Sequence, residues 1–139
     1  MPRRNKNKQR ANYCIPNTIL TMTLNEYQTK AMATCMPTCD NLSYMTFNLM
    51  GEVGEFTGKI AKHIRKGEAF IDDNRFFFKR GVIDNVEGAL MDEAGDILWQ
   101  LSGLCEVMGW SLDDIAQRNL AKLRSRAERG VIDGNGDER

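Results

Sequence analysis

Two segments of this chain repeat apolar residues at intervals of three and four, and each carries a pair of acids. Leu42, Met45, Leu49, Val53, Phe56 and Ile60 mark the first; Val86, Ala89, Leu90, Ile97, Leu101 and Leu104 mark the second. That period belongs to one face of an α-helix, not to a strand. Helices of this kind must bury their apolar sides, and antiparallel packing on one another is the simplest solution. The acids are Glu52 and Glu55 in GEVGEF and Glu93 and Asp96 in DEAGD. A three-residue step puts both members of a pair on one helical face. Two such faces brought together form a four-carboxylate cluster that repels itself unless a cation enters. With a divalent ion inside, the cluster can bind phosphate chains and activate water.

The local signals predict an all-α chain, a four-to-five-helix antiparallel bundle. Residues 1–22 read as a flexible basic arm, 23–130 as the helical domain and 131–139 as a C-terminal tail. Thr23 and Glu26 have the spacing of a capping box, with Leu24, Tyr27, Ala31 and Thr34 as the inner stripe behind it. Pro37 stops that helix or begins a new turn. The second helix is expected from about Asn41 to Lys66. Lys62, Arg65 and Lys66 suit its carbonyl end and Gly67 closes it. Residues 67–84 read as a loop with a short helical or extended piece. Phe70, Phe76, Phe77 and Phe78 there can seal the core, cover a pocket or meet another subunit. A third helix is expected from near Asn85 to Val107 or Met108, ended by Gly109. Ser111 and Asp114 have the spacing of another capping box. They open a fourth helix with Leu112, Ile115, Ala116, Leu120 and Leu123 on its apolar face, stopping by Gly130.

Charge is balanced, with 19 basic and 19 acidic residues among 139. The balance hides an asymmetry: Arg3, Arg4, Lys6, Lys8 and Arg10 stand in the first ten residues without an acid. Such an arm can touch nucleic acid or an acidic partner, or remain a solvated end. No apolar run follows it, so it does not read as a secretory signal, and no stretch reads as a membrane span. The cysteines stand at 14, 35, 39 and 105, with a single histidine, His63, and no CxxC. That argues against a zinc site or a disulfide scaffold and fits reduced thiols in a cytoplasm.

The acids have a plain alternative, two solvated faces whose spacing arises by chance. Both pairs, however, lie beside apolar stripes, where carboxylates need cations or hydrogen bonds. Lys59, Lys62 or Lys122 can supply these as an ion-pair network without catalysis. Lys59 follows Glu55 by four residues, which predicts a local helical ion pair. No Walker or GxGxxG loop is present. No serine or cysteine has a base beside it to act as a nucleophile.

From Tyr27–Gln28 through NLMGEVGEF and LMDEAGDILWQL to NLAKLRSRAERG, roughly residues 24–130, the chain resembles the MazG-type, all-alpha nucleoside triphosphate pyrophosphohydrolases. The resemblance implies a helical bundle assembled as a dimer or tetramer, with sites near subunit boundaries. It also implies that Glu52, Glu55, Glu93 and Asp96 bind magnesium, with manganese as a substitute. The implied reaction is hydrolysis of an NTP or dNTP to the monophosphate and pyrophosphate. Asn119 and Lys122 match the family's NxxK signature. Gly51 stands where the first motif often has a leading acid, and residues 67–84 lengthen the gap between the acid pairs.

On this reading Asn119, Lys122, Arg126 and Lys59 are the substrate-binding candidates. Arginine can grip phosphate with two parallel hydrogen bonds. Each of these residues can equally be a solvated face or an ion pair. His63 reads as a surface or partly packed residue, and Trp99 and Trp110 as packing or contact residues before base-stacking ones. Two other functions remain open: hydrolysis of another pyrophosphate-bearing nucleotide metabolite, and a non-enzymatic, nucleic-acid-associated helical adaptor using the basic arm.

Overall fold

The structure is a computed structural model that describes residues 21–79, 81 and 83–133, without the side chains of 83–85. The first twenty residues, which include all five cations of the basic arm, lie outside the described residues, as do residues 134–139. Among the described residues four helices and one hairpin follow in chain order: α1 (Leu24–Met32), α2 (Leu42–Arg65), β1 (Ala69–Asp72), β2 (Arg75–Phe78), α3 (Ile83–Val107) and α4 (Leu112–Glu128).

Local chemistry sets most of the boundaries. Glu26 N–H donates to Thr23 Oγ1 at 3.1 Å and Thr23 N–H donates to Glu26 Oε2 at 2.7 Å, a complete capping box. Asn41 caps α2 by accepting from Tyr44 N–H at 2.9 Å. Gly67, Gly109 and Gly130 take positive φ just past the three longer helices, where a side chain would be strained. Ser111 accepts from Asp114 N–H at 3.1 Å, which is the N-cap half of the expected box.

α1 is shorter than its apolar stripe suggested. It ends at Met32, so Thr34 lies in a turn and Cys35 and Cys39 share no helical face. The turn has its own tether. Trp99 Nε1 on α3 donates to Ala31 O at 3.1 Å and to Thr34 Oγ1 at 2.9 Å. α3 begins two residues before the expected Asn85.

Residues 69–78 resolve the ambiguous segment as an antiparallel hairpin, pairing Ala69 with Phe78 and Asp72 with Arg75. Its two-residue turn puts Asp73 and Asn74 at φ 46° and 56°. Those are the side chains other than glycine that best tolerate the left-handed region, and such a turn matches the twist of the strands. Phe70 stacks on Phe77 with ring centroids 5.5 Å apart. The hairpin packs through β1 on α2, with Ala69 buried.

α2 and α3 lie along each other and form the main seam; α1 rests on α3 and α4. Met45, Ser102 and Cys105 are fully buried there. Met45 passes over Gly103, where a Cβ would overlap its Sδ and Cε, so the missing side chain lets the two helices close. Part of the predicted apolar face is not covered. Leu120 and Leu123 on α4 and Leu42 and Val53 on α2 are exposed. Their spacing is helical as expected, but the nine-residue α1 packs on α4 and is hydrogen-bonded to its first two residues, Leu112 and Asp113. No helix of the described residues is long and apolar enough to cross a membrane.

Candidate metal centre

The α2–α3 seam brings three of the four predicted acids together. Glu52, Glu93 and Asp96 each offer a carboxylate oxygen, and these atoms lie within 4.8 Å of one another. Helical periodicity explains the meeting. Glu52 is seven residues past Met45 and so shares its face, while Asp96 lies seven residues before Gly103, over which Met45 passes, and Glu93 seven before the buried Gln100. Glu55 is exposed and falls outside this three-residue grouping.

Burial grades the group. Glu93 is buried, Glu52 half-buried and Asp96 exposed. One carboxylate is therefore anchored in protein and another opens to solvent. Asn48 Nδ2 donates to Glu52 Oε1 at 2.9 Å from one turn earlier on α2. Even so, partial burial holds the Glu52 carboxyl above its ordinary range, with the charges of Asp96, Glu55 and Glu93 adding to the shift. Desolvation also raises the Tyr27 phenol, assisted by the charge of Asp96, which places α1 beside the group as well.

Among the described residues the cation paired with the group is Lys59. Its Nζ donates to Glu93 Oε1, across the seam and not along α2 to Glu55 as the local spacing predicted. The hydrogen bond to Glu93 raises the Lys59 ammonium above its usual value by more than desolvation lowers it. Tertiary approach overrides the local pair because Glu93 is buried and must be compensated, whereas Glu55 keeps its hydration. The other oxygen, Glu93 Oε2, is buried with no hydrogen-bond partner. An ionised oxygen in that position requires a donor or a cation. Three hard oxygen donors at this spacing, one of them lacking a partner, fit a magnesium- or manganese-sized ion.

Of the predicted substrate residues Lys59 is thus at the acids, and the other three are on α4. Asn119 and Lys122 are exposed on α4, and among the described residues no hydrogen bond or ion pair joins them to the acids. Arg126 is buried near the end of the same helix. His63 donates to or accepts from Glu68 Oε2 at 2.7 Å, an interaction that closes the end of α2.

Two residues, one beside the site and one at the α3–α4 turn, escaped the sequence reading. Asn48 supports Glu52 at i and i+4, a spacing that could have revealed it. Gln28 lies on the α1 stripe between Leu24 and Ala31 and is buried. Its Nε2 donates to Glu106 Oε2 and Trp110 O, both at 3.0 Å, and its Oε1 accepts from Leu112 N–H at 2.8 Å. A polar residue on an apolar stripe was the available signal. This one amide holds α1 against the turn between α3 and α4.

The chain is similar to the Gene 37 protein of Mycobacterium phage L5, with 38% identity over 105 residues covering 73% of this chain and 82% of that protein. No solved structure matches. The profile of the MazG nucleotide pyrophosphohydrolase domain matches residues 41–131, a span that contains α2, the hairpin, α3, α4 and all of the acids. With an acid cluster at its helical seam and a match over most of its length, the chain belongs to the MazG nucleotide pyrophosphohydrolase family.

Proposed function

We propose that the protein hydrolyses nucleoside or deoxynucleoside triphosphates to the monophosphate and pyrophosphate, with magnesium as its metal and manganese as a substitute. The observation that carries this reading is the meeting of Glu52, Glu93 and Asp96 around a buried carboxylate oxygen without a partner. Glu52, Glu93 and Asp96 would hold the ion, and Glu55 would join them from the next turn of α2. A divalent ion there supplies positive charge to the phosphate oxygens and to the departing pyrophosphate.

The protein groups do the remaining work. Glu93 anchors the centre from inside the seam. Glu52 is suited to orient the attacking water and accept its proton, because it is half-buried beside the anchored Glu93 and still reaches the opening of the group. Its hydrogen bond from Asn48 fixes the direction in which the carboxylate points. Asn119, Lys122 and Arg126 bind the polyphosphate or sugar, with Lys59 beside them.

The α4 residues would reach the acids of a second copy, in a dimer or tetramer. The exposed Leu120 and Leu123 between and beside Asn119 and Lys122 support that arrangement. Incubation with a panel of NTPs, dNTPs, nucleotide sugars and modified nucleotides, with and without magnesium, tests the reading when both products are identified. Monophosphate plus pyrophosphate in the magnesium arm alone is expected. Inactivity of well-folded protein across the panel overturns it, and turnover confined to nucleotide sugars or modified nucleotides reassigns the substrate.

A further inference from the structure

We propose that Lys59 is an internal stand-in for the divalent cation: its ammonium holds Glu93 while no ion is present and is expelled when one enters. The inference rests on the metal centre proposed above and adds a moving part to it. Its basis is an asymmetry between the two partners. The Glu93 side chain is 8% exposed and fixed inside the seam, whereas that of Lys59 is 38% exposed. Lysine is a compact charge on a flexible stem. Only one of the pair can leave without exposing a buried carboxylate.

The second basis is geometry. Lys59 binds the Oε1 atom of Glu93, while Oε2 has no partner and Glu52 and Asp96 offer further oxygens within 4.8 Å. An ion entering among these oxygens would lie within a few ångströms of the ammonium, against a doubled like charge at close range. The carboxylates cannot relieve that repulsion by moving, since two helices hold them. Lys59 can, by swinging outward. The exposed acids Glu55 and Asp92 already act on it electrostatically and offer a resting place at the mouth.

The exchange has two consequences. In the empty centre the buried Glu93 keeps a cation on one of its oxygens, so the seam is held together before metal arrives. Metal affinity is lowered, because the competent form is only a fraction of the population. Entry of the ion then frees a cation at the mouth of the centre, where a polyphosphate would approach.

The test uses the full-length chain without nucleotide, in chelator and in saturating manganese. An amine-acylating reagent labels the lysines, and peptide mass spectrometry reads each site. Lys59 labelling is expected to rise several-fold on manganese addition, while the exposed Lys62 and Lys66 stay constant. In parallel, calorimetric titration should show Lys59→Met binding manganese about tenfold more tightly than the wild type, the gain expected if the ammonium occupies nine-tenths of the empty centres. Lys59→Gln should behave alike and substitutes if the methionine variant does not fold. Unchanged or reduced Lys59 labelling in saturating manganese overturns the proposal, even if the protein is active. So does labelling that rises while both variants keep wild-type affinity. If neither wild type nor variant binds manganese, the metal centre itself is wrong and the stand-in falls with it.

Discussion

The α2–α3 seam and helix α4 carry the two halves of the proposed site, and they are built differently. In the seam, Met45 and Cys105 are buried and Gly103 lets the helices close, so three acids meet within one chain. α4 is anchored at its start, through the buried Leu112 and the Gln28 amide, and then runs on with Leu120 and Leu123 exposed. The carboxylate half is thus rigid and self-contained. The half proposed to bind phosphate rides on a helix with Leu120 and Leu123 exposed. Rigid placement is what a charged cluster requires, because a carboxylate that can turn away gives up the ion.

The sharpest way to break this contrast is to neutralise the buried acid. Glu93→Gln should lower turnover by about a thousandfold, because the charge stabilisation at stake is several kcal/mol. Initial rates at matched helicity check it, and near-normal turnover would remove Glu93 from the centre. Glu55→Gln should lose less, about tenfold to a hundredfold, since Glu55 is exposed and its place in the centre can be filled by water. Equal losses for the two would erase the distinction between anchored and outer acids. On α4, Lys122→Gln should also cost about tenfold to a hundredfold, the worth of one or two charge-assisted hydrogen bonds to phosphate. Its loss should appear mainly in KM and leave metal affinity intact.

The two halves should also separate in stability. Gly103→Ala forces the buried end of Met45 aside and should destabilise by about 1–3 kcal/mol, as overpacking in a core does. Leu120→Asp should leave the fold of one copy nearly unchanged, within about 0.5 kcal/mol, because the position is exposed. Its effect should fall on assembly, read as a shift toward monomer in sedimentation and a matching loss of activity. A Leu120→Asp protein that unfolds would mean that α4 is covered within its own chain.

The same contrast explains how far the sequence could be read. The caps at Thr23, Asn41 and Ser111 and the stops at Gly67 and Gly109 depend on neighbours within a few residues, so their chemistry is visible in the string. The acid pairs were legible for the same reason. Which of the four acids converge was not, because Glu55 and Glu52 have the same spacing signal and differ only in how α3 lies across α2. Lys59 shows the limit most clearly: the i,i+4 rule pointed to Glu55, and a buried carboxylate 34 residues away took the ammonium. The hairpin was obscured by strands of four residues and a turn without glycine, Asp73–Asn74. Leu120 and Leu123 show that periodicity identifies an apolar face without saying which molecule covers it.

The smallest predicted effect separates the cap of α1 from the acid cluster by pH. Glu26 accepts a backbone hydrogen bond from Thr23 and then its hydroxyl contact, which hold its carboxyl below the ordinary value. Its folded pKa lies under the unfolded one, so its contribution is complete above the unfolded pKa and is lost as pH falls through the folded pKa. Glu52 runs the other way. Burial raises its folded pKa, so the folded state binds a proton that the unfolded state has released, and stability is lost as pH rises toward that raised value. In metal-free buffer the cap therefore weakens on the acid side of the ordinary glutamate range and the cluster on the alkaline side. Thermal melts across pH, in chelator, should show Glu26→Gln flattening the acid limb and Glu52→Gln the other. Saturating manganese should reverse the Glu52 limb alone, because an ion bound to the carboxylate favours its charged form. If manganese shifts both limbs together, the two carboxylates do not belong to separate parts of the molecule, and the division between a locally built cap and a tertiary charge cluster is wrong.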